Sequence, residues 1–210
     1  MKVLYITANP KNIEHSHSLS VGDSFIKEYQ KQNKDDEVIL LDLFKTDVPE
    51  IDYDVMNAWG KLASGVDFKD LSTEEIRKLS SMNSNLEQFM DADKYVFVAP
   101  LWNFGVPPVL KAYIDNLAIN GKTFKYTENG PKGLLGNKKA LFIQSSGGVY
   151  SNEAMKKYEH GSSYMNVVLN FFGINDISEL LVEGVNMAKD GGLEIREQFN
   201  KKAVTLAKTF

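Results

Sequence analysis

Cysteine is absent from this chain. That excludes disulfides, thiol catalysis and thiolate metal sites. Histidine is scarce, with three residues in 210. His15 and His17 lie close together, but no third histidine or well-placed carboxylate completes a ligand set, so no metal site is expected. His160 reads as a surface residue. No Ser-His-Asp grouping supports nucleophilic hydrolysis. No apolar run approaches the ~20 residues of a membrane span. A basic stripe is also missing: net charge is -4 and the lysines are mostly interleaved with acids, so neither nucleic acid nor an anionic membrane is an expected partner. Neither G-x-x-x-x-G-K-[ST] nor G-x-G-x-x-G occurs, which sets aside a P-loop and the dinucleotide fingerprint. Repeats, low-complexity segments and linkers are lacking. The opening run Met1–Ile6 is too short for a signal peptide and reads as a strand, leaving the cytoplasm as the expected location.

What is present is an ordinary globular composition, 43% hydrophobic and 25% charged, at a length that suits one domain over residues 1–210. Short apolar, β-prone runs at 2–7, 37–43, 95–99, 139–145 and 177–183 read as five strands. Between them lie helical stripes. Leu19, Val21, Phe25, Ile26 and Tyr29 mark the first helix, and further helices are expected at 53–64, behind Pro107 and Pro108, at 153–172 and at 190–208. Ser72 with Glu75 forms a capping-box pattern ahead of a helix over 73–91, whose Ile76, Leu79, Met82, Leu86, Phe89 and Met90 share one face. Residues 119–137, rich in Gly, Asn and Thr, read as a loop. Alternation of this kind implies an α/β fold: a flavodoxin-like five-stranded parallel sheet of order 2-1-3-4-5, with helices on both faces. The connection 45–93 exceeds what a crossover needs, and suits either a pocket or subunit wall or a plain surface excursion.

In that topology three strand ends converge on one site. The first supplies residues 8–18, ending His15-Ser16-His17-Ser18 at a helix start, where hydroxyls and amides suit an anion. Ser18 equally reads as the helix N-cap. The second supplies Pro100-Leu101-Trp102-Asn103-Phe104-Gly105, two large rings, an amide and a glycine, suited to a flat, partly polar ligand or to filling the core. The third supplies Ser145-Ser146-Gly147-Gly148, consecutive amides with small side chains, or an ordinary glycine turn.

The stretches PLWNFGVPPVLKAYIDNL (100–117), GKTFKYTENGPKGLLG (121–136), SSGGVYS (145–151), and NFFGI followed by LVEG (170–184) resemble the FMN-dependent NADH azoreductase and quinone reductase family, the Bacillus-type members most closely. The similarity runs from the first strand to the closing helix. It implies that Ser16, Ser18 and the amide of His17 hold the FMN phosphate. Pro100, Leu101, Trp102, Asn103 and Phe104 would line the isoalloxazine, with Asn103 on its edge. Ser145, Ser146, Gly147 and Gly148 would meet its pyrimidine end. Tyr126 and Phe171 would wall the substrate space, Phe171 reaching in from a partner subunit of a homodimer with sites at the interface. Hydride would pass from NADH, with NADPH left open, to flavin N5 and on to a quinone or azo acceptor by ping-pong kinetics. No side chain is nominated as a catalytic acid or base. Many members carry Arg where this chain has Ser146, which removes a cation beside the flavin. Asn9 is a weaker candidate ligand. Two other readings remain open, an electron carrier of flavodoxin type and a non-enzymatic flavin-binding module.

Overall fold

The computed structural model describes all 210 residues. In chain order the elements are β1 (Lys2–Thr7), α1 (His17–Gln32), β2 (Glu37–Asp42), α2 (Tyr53–Ala63), α3 (Thr73–Asp91), β3 (Lys94–Pro100), α4 (Pro108–Leu117), β4 (Phe124–Thr127), β5 (Gly130–Gly133), β6 (Lys139–Ser145), α5 (Ser162–Phe171), β7 (Asp176–Val182) and α6 (Leu193–Ala207). Five strands form one sheet of order β2-β1-β3-β6-β7, with every pairing parallel. That is the expected order, since β4 and β5 pair only with each other.

The strands form where apolar residues run without a break. β3 and β6 occupy the middle of the sheet, and all but their first residues are buried. Successive residues alternate between two apolar clusters, as a period of two requires. Leu4, Ile6, Tyr95, Phe97 and Phe142 pack with Phe89 of α3, Leu110 and Tyr113 of α4, and Met165 of α5. Val3, Tyr5, Val96, Val98, Leu141 and Ile143 pack with Phe25 of α1 and Ala203 of α6.

The long connection holds two helices, as expected. Ser72 Oγ accepts from the Glu75 amide, and the Glu75 carboxylate accepts from the Ser72 amide. That carboxylate also binds Lys61 and Asn57, so the cap of α3 ties down α2. α2 leaves Tyr53 and Met56 exposed.

Three expectations need correction. Residues 119–137 contain the β4–β5 hairpin, not only loop. Its turn residue Gly130 has φ of +99°. A Cβ at Gly133 would fall 2.1 Å from the Gly173 nitrogen, so bare backbone packs on the turn after α5. Helix 153–172 is cut to α5, preceded by a 3-10 turn at Lys156–Tyr158. The helix starts late because Gly161 lies where Gln144 and Leu101 converge: an ideal Cβ there would be 1.9 Å from Gln144 Oε1. The N-cap of α1 is Ser16 rather than Ser18, its Oγ accepting from the Leu19 amide.

Candidate functional site

Parallel register sets Thr7 beside Val98 and Pro100 beside Ser145. The carboxyl ends of β1, β3 and β6 therefore open side by side, the edge where open α/β sheets hold ligands. A cleft of about 250 Å³ lies there, lined by Asn9, Lys11, Ser16, His17, Pro100, Leu101, Trp102, Ser145, Ser146 and Gly147, with Val185 and Asn186 beyond β7.

Its first wall is the start of α1. The amides of His17 and Ser18 have no carbonyl a turn earlier to bond, as for any first helical turn. Asn9 organises the hydroxyls: its Nδ2 donates to Ser16 Oγ at 2.8 Å and to Ser18 Oγ at 3.4 Å. All three residues are buried. The His17 ring lies beside the Gly191 backbone, and its buried Nδ1 has no partner. Burial first, then the charges of Arg196 and Lys11, hold the His17 pKa below its ordinary value. Arg196 is fixed by donating to the Glu14 carbonyl at 3.1 Å. A cleft lysine and a helix N-terminus thus stand at two buried hydroxyls, with Arg196 near His17, a donor set suited to a phosphate dianion.

The second wall is a tight hairpin turn. The amide of Trp102 donates to Gly105 O at 2.9 Å and that of Gly105 to Trp102 O at 3.0 Å. Asn103 and Phe104 between them take φ of +48° and +72°. Primed turns of this kind need left-handed residues at both centres. Neither residue is glycine, so backbone energy is stored to present their side chains. Trp102 faces Phe44, and Phe104 lies 5.4 Å from Tyr158 and 6.3 Å from Tyr150, centroid to centroid. Trp102, Phe104 and Tyr158 are part-exposed, forming an aromatic rim.

The third wall is 145–148. Residues 184–186 seal it: the amides of Gly184, Val185 and Asn186 donate to the carbonyls of Gly148, Ser146 and Gly147. Ser146 turns inward, its Oγ donating to Gly148 O at 2.9 Å, so residue 146 offers the cleft no cation.

The structure therefore gathers the expected residues Ser16, His17, Ser18, Pro100, Leu101, Trp102, Ser145, Ser146 and Gly147 at one edge, with Asn103, Phe104 and Gly148 adjoining. Tyr126 and Phe171 are elsewhere. They flank Phe124 at 5.5 and 4.5 Å, and Phe171 leads through Phe172 to Phe89, which stacks on Tyr95 near the start of β3. That is the amino-terminal end of the sheet. α5, ten residues and so about 15 Å long, separates them from the cleft. Lys11, Arg196, Val185 and Asn186 were missed from sequence. Lys11 lay inside the loop already singled out, whereas nothing local marks Arg196 or Asn186. The largest cavity, about 660 Å³, lies under the 9–14 loop between α1 and β2, away from the glycine pair and the aromatic turn.

The residues present fit FMN on two structural grounds, the buried hydroxyl pair with the unpartnered His17 nitrogen, and a wall in which Gly147 cannot take a Cβ without displacing Asn186, itself a cleft residue. A family model described as flavodoxin-like fold matches residues 1–206. FMN-dependent NADH:quinone oxidoreductase 3 of Bacillus cereus is 52% identical over 209 residues, covering 100% of this chain and 99% of that protein. FMN-dependent NADH:quinone oxidoreductase 2 of Bacillus subtilis is 47% identical over the same shares. Among solved structures, a Bacillus anthracis FMN-dependent NADH-azoreductase in complex with FMN matches with a TM-score of 0.93 and 33% identity, over 100% of this chain and 99% of that one. Identity at this level along the whole of both partners carries one assignment: the chain belongs to the flavodoxin-like family of FMN-dependent NADH:quinone oxidoreductases and azoreductases.

Proposed function

We propose that this protein is an FMN-dependent oxidoreductase that takes hydride from NADH and reduces quinones and azo compounds by two electrons. The observation that carries the reading is the convergence of three strand ends on one cleft, each with the chemistry one part of FMN requires. Bound FMN supplies the hydride acceptor and donor of the reaction.

The chain supplies position and field. Ser16, Ser18 and the His17 amide hold the phosphate, and the charges of Lys11 and Arg196 favour it. Leu101, Trp102 and Phe104 give the ring an apolar seat and exclude water, and Pro100 closes that wall from the end of β3. Asn103 bonds the ring edge. Ser145, Ser146, Gly147 and Gly148 let the pyrimidine end approach backbone amides. The rim formed by Phe44, Trp102, Phe104 and Tyr158 suits a flat aromatic acceptor. Donor and acceptor use this one opening in turn, which predicts parallel double-reciprocal lines.

The same reading makes residues 1–210 a single FMN-binding domain, the two apolar clusters being the inner and outer halves of a three-layer fold. It also makes the active unit a homodimer. Tyr126 and Phe171 lie too far from their own cleft to wall it, so a partner's copies would do so. The exposed apolar side chains of Tyr53, Met56 and Val167 support such contact.

The experiment is anaerobic. NADH should bleach the yellow protein, and a quinone or azo dye should restore the colour. A protein that cannot take up FMN would sink the proposal, and one that binds FMN but resists NADH would favour an electron carrier. For the dimer, mixing Asn103 and Phe171 variants, each impaired alone, should raise activity above that of either. Independent sites within each chain would leave the mixture no better than its parts.

A further inference from the structure

Behind the Trp102–Gly105 turn stands a second set of contacts, centred on a carboxylate that does not line the cleft. The amide of His160 donates to the Phe104 carbonyl at 2.8 Å. This bond runs from the segment before α5 to the middle of the turn. Residue 160 is held in place by its neighbour. Glu159 Oε1 accepts from the amides of Gly161 and Ser162 at 2.9 and 2.8 Å, and Oε2 accepts from the amide of Ser163 at 3.0 Å. Three orphan donors at the start of α5 are thereby satisfied by one carboxylate. Oε1 also accepts from Gln144 Nε2 at 3.0 Å. Gln144 is the β6 residue beside Ala99, and its side chain packs with Leu101 around Gly161. One carboxylate therefore links the helix start, strand β6 and the segment that grips the turn.

The contacts are costly to assemble, which argues against accident. Burial pushes the Glu159 carboxyl pKa up. Gln144 and the three amides overcome that, so the group is held ionised below its ordinary value. Gln144 Oε1 is left buried with no partner, a lost hydrogen bond accepted to keep Nε2 on Glu159. The object held is the strained one: Asn103 and Phe104 both sit at positive φ, and Phe104 has no glycine's freedom to stay there unaided.

We propose that Glu159 is a positioning residue of the flavin site, fixing the His160 amide that holds Asn103 and Phe104 in their left-handed turn. It touches neither cofactor nor substrate. Its effect runs through two backbone links, from carboxylate to helix start and from His160 to Phe104. The inference rests on the reading that Asn103 and Phe104 seat the flavin.

The test compares Glu159→Ala, Glu159→Gln and Glu179→Ala, each saturated with FMN. Glu179 binds Ser162 and Asn166 on another side of the same helix, so its loss weakens α5 without touching residue 160. Glu159→Ala should alter the visible circular dichroism of bound flavin and slow anaerobic reduction by NADH about tenfold. Glu159→Gln, which keeps an acceptor oxygen, should recover most of the rate. Glu179→Ala should lower the melting temperature but keep the wild-type flavin spectrum and rate. If Glu159→Ala loses thermal stability yet keeps both flavin signatures, the carboxylate is only a helix cap and the inference fails. If Glu179→Ala moves the signatures equally, general loosening of α5 is the cause and the inference fails as well. A wild-type chain that binds no FMN overturns the functional reading, and this one with it.

Discussion

The side chain of Asn186 occupies the space in front of Gly147: a Cβ on residue 147 would stand 2.4 Å from Asn186 Nδ2. Asn186 is also tied by its own amide to the Gly147 carbonyl at 3.1 Å, so it has little freedom to retreat. Gly147→Ala should therefore push the amide into the cleft. FMN affinity should fall at least about tenfold, roughly 1.4 kcal/mol. Pairing it with Asn186→Ala should recover most of that loss. Fluorescence titration of FMN against the three variants measures it, and equal affinities for wild type and Gly147→Ala would contradict the close contact.

Asn103→Gly separates the backbone role of that residue from its side-chain role. Glycine adopts φ of +48° without strain, so the turn and the melting temperature should be kept or improved. The amide is lost, and with it one hydrogen bond in a desolvated site, about 1–1.5 kcal/mol. Turnover or FMN affinity should drop about tenfold. A fall in melting temperature instead would mean that the Asn103 amide serves the fold.

His17 predicts proton uptake on cofactor binding. Its pKa is held below the ordinary value by burial and by the neighbouring cations. A phosphate dianion would reverse that balance and raise it. FMN binding should then take up a proton at His17, tightening as the pH falls from the raised bound-state pKa toward the depressed free-state one, against the weakening that protonation of the phosphate itself brings. Calorimetry in buffers of different ionisation heat reads the uptake, and His17→Gln should lack the extra fraction. Without FMN the sign inverts. The depressed pKa means the unfolded chain binds the proton first, so this residue's contribution to stability falls as pH drops through that value.

Glu75 makes a prediction about stability alone. Its carboxyl is lowered to about 2, first by Lys61 and then by the Ser72 amide. A depressed carboxyl stabilises the folded state above its unfolded value and loses that effect as pH falls toward the folded one. Glu75→Gln should melt well below wild type near neutrality. The gap should narrow as pH falls from about 4.5 toward 2 and should vanish below it. A gap independent of pH would show that the capping geometry, not the charge, is what counts.

Much of this architecture was legible in the chain. The apolar runs of β3 and β6 and the stripe of α1 report burial directly, because each element covers one partner surface with a fixed period. The capping box at Ser72 was equally plain, since its two hydrogen bonds span three residues. Strand order followed from alternation and short crossovers. The serine loop, the proline-framed turn and the double glycine could each be picked out because strand ends are local features.

The remainder depended on contacts between residues distant in sequence. The β4–β5 hairpin was read as loop because its strands are short, polar and exposed; it is held by Gly133 lying on Gly173, a contact across 40 positions. The late start of α5 is set by Gln144 and Leu101 meeting Gly161, and no local propensity records that. Lys11 and Arg196 come to the neighbourhood of His17 from opposite ends of the chain, and Asn186 closes on Gly147 only after β6 and β7 pair. The sequence by itself determined which loops meet at the cleft, because residue type and strand ends are local properties. Tertiary structure alone decided the shape of the cleft and the strained turn behind it, because parallel pairing and side-chain packing bring distant residues together.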